Sequence, residues 1–270
     1  MNGGYGLDYS DLVRKVQEYY TDSVHGGFYT KKDKKLNKTI KDEFRLKWCD
    51  ECKEINLWTY WQGHKNKKAK ILLLGQDWAS PWDLENRKLL DYVLQDDEGC
   101  SQRYIESLSS PTDKMLQKLM VSLGEEYDPF KPDNENLFFT NLCLGYRDHG
   151  SSSGLDRNAL LHDVEYTKEL ISIIEPKIII CLGKDTYDAM VQGTNSVPVS
   201  EEKSFYKKLA EGKCYATYDG RIPIYGQAHP GPLGVMNRRR YHPSVKERIE
   251  KSAEDILIED WKKVIIPKTS

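Results

Sequence analysis

The chain has 270 residues, of which 39% are hydrophobic and 11% aromatic, so it is long and apolar enough to bury a substantial core. Its formal net charge of −2 excludes a general electrostatic attraction to nucleic acid, so any phosphate binding must come from local basic patches. No apolar run approaches the roughly 18 residues of a membrane span, and the N-terminus lacks the layout of a signal peptide, so we expect a cytoplasmic protein that contacts no membrane.

The first 45 residues are interpreted as an N-terminal helical and loop extension of a single α/β domain that spans residues 46–270. Residues 10–20 (SDLVRKVQEYY) carry apolar side chains at helical spacing after Ser10, a residue type that suits an N-cap. The Gly- and Lys-rich stretch that follows is typical of a loop.

Strand patterns and helix patterns alternate along the rest of the chain. Strands are predicted over residues 69–74, 137–142, 177–182 and 221–228, and helices over residues 84–94, 112–123, 160–174 and 244–264. This alternation favours an α/β fold in which a central, mostly parallel, four-stranded sheet has helices on both faces.

Polar or glycine residues stand where each predicted strand ends. Asp77 follows the first strand, Asn141 lies in the second, Gly183 follows the third and His229 follows the fourth. In open α/β sheets, ligands bind beyond the carboxyl ends of the strands. The sequence therefore predicts that Asp77 and His229 face one crevice.

Basic residues cluster at three places. The lysine clusters at residues 31–38 and 65–70 are interpreted as solvated loops. Arg238, Arg239 and Arg240 differ because they come just after the His229 segment, where a basic loop can grip a nucleic-acid backbone on either side of a substrate nucleotide.

Two of these segments together resemble the uracil-DNA glycosylase superfamily. Its first motif is commonly written Gly-Gln-Asp-Pro-Tyr-His and its last His-Pro-Ser-Pro-Leu; here residues 75–80 read GQDWAS and residues 229–233 read HPGPL. Residues 176–183 (PKIIICLG) are similar to a segment of the iron–sulfur branch of that superfamily. The resemblance covers roughly residues 49–240 and implies a three-layer sandwich fold.

The resemblance implies a DNA glycosylase that hydrolyses the bond between deoxyribose and uracil, or a related damaged or modified base. Breaking this bond builds positive charge on the sugar and negative charge on the base. By similarity, Asp77 positions water or stabilises the sugar, and His229 donates a hydrogen bond to the departing base. Asn141 reads the base edge, and Leu233 fills the gap that base extrusion leaves in the duplex.

The resemblance also places Gly75, Gln76, Trp78 and Ala79 around the base. The last two depart from the family pattern, because Trp78 replaces a proline and Ala79 replaces the tyrosine that rejects the methyl group of thymine. A wider pocket that admits thymine or a modified pyrimidine is one interpretation, and a different stacking wall is another. Gly231 replaces the serine of the last motif and is expected to make that loop more mobile.

The cysteines provide a second point of similarity. Cys49 and Cys52 precede residue 75 at about the distance seen in the iron–sulfur branch, and Cys143 matches its third ligand. The fourth cysteine is missing, and Asp163, with His162 beside it, lies near its place. No cofactor is required for the chemistry; a [4Fe-4S] cluster, zinc and metal-free thiols all remain open.

Three classes of function are compatible with these patterns. The leading one is a glycosylase of base excision repair that acts as a monomer on DNA containing uracil or a modified base. The second is a catalytically inactive nucleic-acid-binding module of the same fold. The third is an enzyme that processes nucleotides or nucleosides in the same crevice.

Overall fold

A computed structural model describes residues 8–22, 25–33, 38–48, 68–77, 111–129, 136–148, 155 and 157–266. The predicted helix over residues 84–94 lies outside these ranges. Among the described helices, none has both the length and the apolar character needed to cross a membrane.

Strands and helices alternate along the described part of the chain. The strands are β1 (His25–Asp33), β2 (Lys38–Lys47), β3 (Ile71–Gly75), β4 (Leu137–Asn141), β5 (Tyr146–Arg147), β6 (Ile178–Leu182), β7 (Val197–Pro198), β8 (Tyr215–Tyr218) and β9 (Ile222–Gln227). The α-helices are α1 (Tyr9–Asp22), α2 (Pro111–Val121), α3 (Arg157–Ile174), α4 (Lys184–Gly193), α5 (Phe205–Ala210), α6 (Pro232–Arg240), α7 (Val245–Glu250) and α8 (Ala253–Trp261).

The larger sheet has six strands in the order β4-β3-β6-β9-β8-β7. The strands β4, β3, β6 and β9 are parallel neighbours, whereas β8 and β7 run antiparallel. The predicted α/β class is therefore confirmed. The predicted four-stranded sheet is wrong in its strand number, because β8 and β7 extend it at one edge into a mixed sheet.

A tight turn at residues 218–221 joins β8 to β9, and β7 pairs with β8 in turn. The sequence analysis did not predict β7 or β8. Asp219 and Gly220 both have positive φ, of 50° and 65°, and the amide of Arg221 donates to the carbonyl of Tyr218 at 3.0 Å. Asp-Gly pairs favour this conformation in hairpin turns. The dipeptide at positions 219 and 220 was thus a sequence signal for a β8–β9 hairpin.

Helices cover both faces of the six-stranded sheet because its central strands are buried on both sides. In β3, Leu72 and Leu74 point into one core and Ile71 and Leu73 into the other, as strand alternation requires. Helices α1, α3, α4 and α5 contribute to the first core, and α2 and α8 to the second. Each fully buried Leu or Ile side chain stabilises this arrangement by about 1.5–3 kcal/mol.

The N-terminal segment is integrated into the fold. The stretch predicted as a loop forms the β1–β2 hairpin, with nine residue pairs, and β2 continues onto β5 to make a second, three-stranded sheet. Helix α1 buries Leu12 and Val16 in the first core. The predicted boundary at residue 45 falls inside β2, since pairing along the whole hairpin overrides the low strand propensity of its Gly and Lys residues.

Two helix ends also differ from the predictions. The helix predicted over residues 244–264 is divided into α7 and α8, because Ser252 and Asp255 form a capping box that starts a new helix. Helix α1 begins at Tyr9 and not after Ser10, since the carboxylate of Asp8 accepts the Ser10 amide at 3.2 Å.

The hairpin turn gives a test of the sheet edge. We expect Gly220→Ala to lower the free energy of unfolding by about 1–2 kcal/mol, the cost of left-handed backbone for a residue with a Cβ, because no atom lies within 4 Å to add a steric term. Asp219→Asn, which tolerates the same backbone, should change it by less than about 1 kcal/mol. Urea unfolding followed by circular dichroism measures both. Equal losses in the two variants would contradict the turn assignment.

Candidate functional site

A cleft of about 590 Å³ lies at the carboxyl ends of β3, β4, β6 and β9. It brings together six residues that the sequence singled out: Gly75, Gln76, Asp77, Asn141, His229 and Leu233. The four strand ends therefore meet at one rim, as the parallel pairing of their strands requires.

Backbone contacts between the β3 and β4 ends determine where Asn141 lies. Gly75 pairs with Asn141, and the amide of Leu142 donates to the carbonyl of Gly75 at 2.9 Å. A Cβ at position 75 would stand 2.0 Å from Oδ1 of Asn141, so only glycine allows this approach. The Asn141 side-chain amide forms no hydrogen bond with other described residues, which leaves its donors and acceptor for a ligand in the cleft.

Phe139 lines the same cleft and was missed by the sequence analysis. The signal was present, since residues two apart on a strand share a face, and Phe139 precedes Asn141 by two. Its ring offers an apolar surface beside the polar amide.

The imidazole of His229 is held in one tautomer. The amide of Gly231 donates to its Nδ1 at 2.9 Å, so Nδ1 accepts and the proton of the neutral ring is on Nε2. Although His229 is exposed at the cleft, partial desolvation of its ring lowers its pKa, and the opposing effect of Asp77 is smaller. At neutral pH the ring is therefore an uncharged donor.

Close packing around His229 explains two glycines. A Cβ at Gly231 would lie 2.9 Å from Nδ1 of His229, and one at Gly234 would lie 2.1 Å from the His229 carbonyl oxygen. The glycine that replaces the family serine thus permits a tight turn over the imidazole. Leu233 lies next in this turn, at the mouth of the cleft, with 72% of its surface exposed.

Three helices begin at the cleft. Its lining includes Thr112 and Asp113 from the start of α2, Lys184 and Asp185 from the start of α4, and the first residues of α6. The residues before α4 and α6 are Gly183 and Gly231, which supply no side-chain cap. The positive ends of these helix dipoles favour negative charge in the cleft.

Asp77 forms a buried ion pair that the sequence analysis missed. Its Oδ2 accepts from Nε of Arg147 at 2.5 Å, and the two side chains are 1% and 0% exposed. The guanidinium of Arg147 also lies 4.1 Å from the ring centre of Phe44 on β2. No local sequence pattern predicts the Asp77–Arg147 pair, because the pair forms only when β5 pairs with β2 of the N-terminal hairpin.

The second carboxylate oxygen of Asp77 is different. Oδ1 is buried and has no hydrogen-bond partner among the described residues. A buried acceptor without a partner costs about 1–3 kcal/mol, and a water or a substrate group that donated a hydrogen bond to Oδ1 would recover that cost.

Two of the four residues expected as metal ligands, Cys143 and Asp163, lie among the described residues, and both are buried. Oδ2 of Asp163 accepts from the Tyr20 hydroxyl and, at 2.7 Å, from the Leu144 amide. Burial raises the pKa of the Cys143 thiol, and Asp163 and Asp77 raise it further. Among the described residues, no cluster of three or more His, Cys, Asp or Glu side chains is arranged to hold a metal ion. Cys49 and Cys52 lie outside those residues.

The arginine triplet is divided by the fold. Arg238 is fully buried and forms two hydrogen bonds with Asp260 on α8, one of them at 3.0 Å from Nη2 to Oδ1, so its expected role as a DNA contact is wrong. Helical geometry turns it inward while Arg239 and Arg240 remain exposed. Trp78 and Ala79, the expected neighbours of the base, lie outside the described residues.

Comparison with models of known protein families gives no match to this chain. Comparison with curated proteins gives none either. The function must therefore be argued from the cleft.

The Asp77–Arg147 pair can be tested by unfolding. We expect Arg147→Met to lower the free energy of unfolding by about 3–5 kcal/mol, because it leaves a buried carboxylate without its counter-charge. The double variant Asp77→Asn/Arg147→Met should recover much of that loss. Arg221→Met, which breaks the exposed pair with Asp219, should cost at most about 1 kcal/mol. A double variant no more stable than Arg147→Met would contradict a coupled pair.

The His229 tautomer can be tested by nitrogen NMR of the imidazoles. We expect His229 to titrate below pH 6.5 and to show an unprotonated Nδ1 and a protonated Nε2 at neutral pH. His162 is the internal control, because its hydrogen bond with Asp163 raises its pKa. By linkage, the lowered pKa of His229 predicts that stability is lost as the pH falls through 6.5, and His229→Gln should reduce this loss. A His229 that titrates above His162 would refute the assignment.

Proposed function

We propose that the cleft is the active site of a DNA N-glycosylase that releases uracil or a related base. The observation that carries the proposal is the presence in one cleft of a neutral His229, whose proton is on Nε2, and of the Asn141 amide, which forms no hydrogen bond with other described residues. A donor for the base oxygen and a group that reads the base edge are what a pyrimidine leaving group requires. The resemblance of residues 75–80 and 229–233 to the glycosylase motifs supports the same reaction.

The reaction replaces one bond at the sugar by another. The bond between the base nitrogen and C1′ breaks, and its electron pair leaves with the base. The Nε2 proton of His229 donates a hydrogen bond to the base oxygen where this negative charge accumulates, and removing one such donor costs about a hundredfold or more in rate. Water adds to C1′, and the proton that it gives up balances the negative charge of the released base, so the products are the free base and an abasic sugar.

The ion pair with Arg147 limits what the Asp77 carboxylate can do in this reaction. Because Arg147 offsets its charge, the carboxylate is a weaker electrostatic partner for a positive sugar than an isolated aspartate would be. Its Oδ1 has no hydrogen-bond partner among the described residues, which suits it to orient the attacking water. We therefore assign Asp77 to water positioning.

The other residues in and around the cleft are suited to bind a nucleobase and a DNA strand. Phe139 gives the base an apolar surface, and the three helix N-termini stabilise the anionic leaving group by about 0.3–1 kcal/mol each. Leu233 stands exposed at the mouth, where it can replace an extruded base in the stack. Arg239 and Arg240 provide positive charge for the DNA backbone.

A second candidate is a base-binding module without turnover. The observation that favours it is the same ion pair, since a carboxylate held by Arg147 and 1% exposed is also what a purely structural aspartate looks like. The two functions differ in one measurable quantity, the release of free base.

Base release from labelled oligonucleotides tests the proposal. The substrates are single-stranded and duplex DNA with uracil, thymine opposite guanine, hypoxanthine or hydroxymethyluracil. We expect release of at least one base, slowed about a hundredfold or more by Asp77→Asn and by His229→Ala, with DNA affinity largely kept. Gly75→Ala should also slow release, because its Cβ displaces the Asn141 amide.

The matched control is Gly220→Ala, which changes a glycine of the distant hairpin turn and should leave the rate unchanged. Salt-sensitive binding with no release from any substrate would establish the binding module. Release that survives Asp77→Asn would remove Asp77 from the mechanism.

A further inference from the structure

An exposed aromatic and basic surface lies at the far end of α6 from the cleft. Tyr241, the residue that ends this helix, is 51% exposed, and its ring stacks on Tyr206 of α5 with centroids 5.4 Å apart and planes at 20°. The guanidinium of Arg240 lies 5.4 Å from the Tyr241 ring centre. We call Tyr206, Tyr241, Arg239, Arg240 and Arg248 the stacking platform.

The positive charge of the platform is not offset. Arg239 donates to the carbonyl of Arg248 and Arg248 to that of Arg240, and within the described part of the chain no carboxylate forms an ion pair with any of the three. Arg238 shows the contrast, since Asp260 neutralises it inside the protein. Three clustered arginines without acidic partners are suited to a polyanion.

The platform is continuous with the cleft. Leu233, Met236 and Arg240 are spaced three and seven residues along α6 and are all exposed, so they form one face that runs from the cleft mouth to Tyr241. Asp185, which lines the cleft, also acts electrostatically on Tyr206. From Leu233 to Tyr241 the helix rises about 12 Å, the length of three or four stacked nucleotides.

The chemistry of the platform favours unpaired bases over a closed duplex. An exposed ring stacks on the face of a base only when that base is not already stacked in a helix, and arginines beside it take the phosphates. Burial raises the pKa of Tyr206, and Tyr241 raises it further, so Tyr206 stays uncharged beside a polyanion.

We propose that the stacking platform binds single-stranded DNA, with one base stacked on Tyr241 and the neighbouring phosphates held by Arg239 and Arg240. The position of that base, about three or four nucleotides from the one in the cleft, rests on the proposed function. The binding itself does not rest on it.

Fluorescence anisotropy with a short single strand tests the platform. The strand carries one uracil whose sugar bears a 2′-fluorine, so that its base is not released, and each flanking nucleotide is replaced in turn by an abasic spacer. For the wild type we expect one spacer position to weaken binding by about five- to a hundredfold, the effect of losing one base–aromatic stack. Tyr241→Ala should bind the intact strand as weakly as the wild type binds the strand with that spacer, and the spacer should not weaken its binding further. Tyr241→Phe should behave as the wild type.

The contribution of the platform arginines to DNA binding is tested separately, by measuring how the affinity depends on salt concentration. Arg240→Gln should reduce the slope of log affinity against log salt by about 0.7, the value for one phosphate contact on a single strand. Arg221→Gln is the control, since Arg221 is 79% exposed but paired with Asp219, and it should leave the slope unchanged.

The platform is overturned if Tyr241→Ala binds the single strand as the wild type does, if the spacer penalty persists in that variant, or if a closed duplex shows the same loss. These outcomes are separable from base release. Tyr241-dependent binding without release from any substrate would keep the platform and remove the glycosylase. Base release that requires Asp77, together with DNA binding that does not depend on Tyr241, would keep the glycosylase and remove the platform.

Discussion

The buried ion pair between Asp77 and Arg147 connects the two sheets at the point where the cleft begins. Asp77 follows β3 of the six-stranded sheet, while Arg147 belongs to β5 of the three-stranded sheet and lies against Phe44 of β2. Two charges taken out of water are tolerated only when they are paired with good geometry. The carboxylate at the candidate site therefore depends on the N-terminal hairpin, and the segment first interpreted as an extension belongs to the site.

The cleft owes its polar character to backbone as much as to side chains. Glycines at positions 75, 231 and 234 stand where any Cβ would displace Asn141 or His229. The same close approach gives His229 its tautomer, through the amide of Gly231. The cleft is lined by His229, by Lys184 and by the N-termini of three helices, all of which favour negative charge, and by the carboxylates of Asp77, Asp113 and Asp185, which oppose it. The proposed anionic leaving group would therefore be stabilised by the neutral donor and the helix ends close to it, against these carboxylates.

The sequence predicted what is local or periodic. The apolar runs of β3 and β6 and the polar residues that follow the parallel strands were sufficient to place Asp77, Asn141 and His229 at one rim. The errors are long-range. Arg147 and the β1–β2 hairpin acquire their roles from partners up to a hundred residues away, as in the Arg45–Asp148 contact. Arg238 is a different case, because three consecutive arginines on a helix must point in different directions, so helical period alone placed one of them inward. The Asp219-Gly220 turn is a local signal too, since Asp-Gly pairs favour hairpin turns.

The loop between β4 and β5 supports the candidate site through hydrogen bonds and close packing. Its Cys143 amide donates to the Gln76 carbonyl at 3.0 Å, and its Leu144 amide donates to Asp163, which also accepts the hydroxyl of Tyr20. At the next residue, a Cβ on Gly145 would lie 2.4 Å from the Tyr20 ring, so helix α1 packs directly on the backbone of this loop. The resemblance to the iron–sulfur branch implies ligands at Cys143 and near Asp163. In the structure, Asp163 joins α3 to α1 and to this loop through hydrogen bonds, and the Cys143 amide joins the loop to the residue that follows β3. The loop that leads to Arg147, the partner of Asp77, is therefore anchored on both helices and on the end of β3.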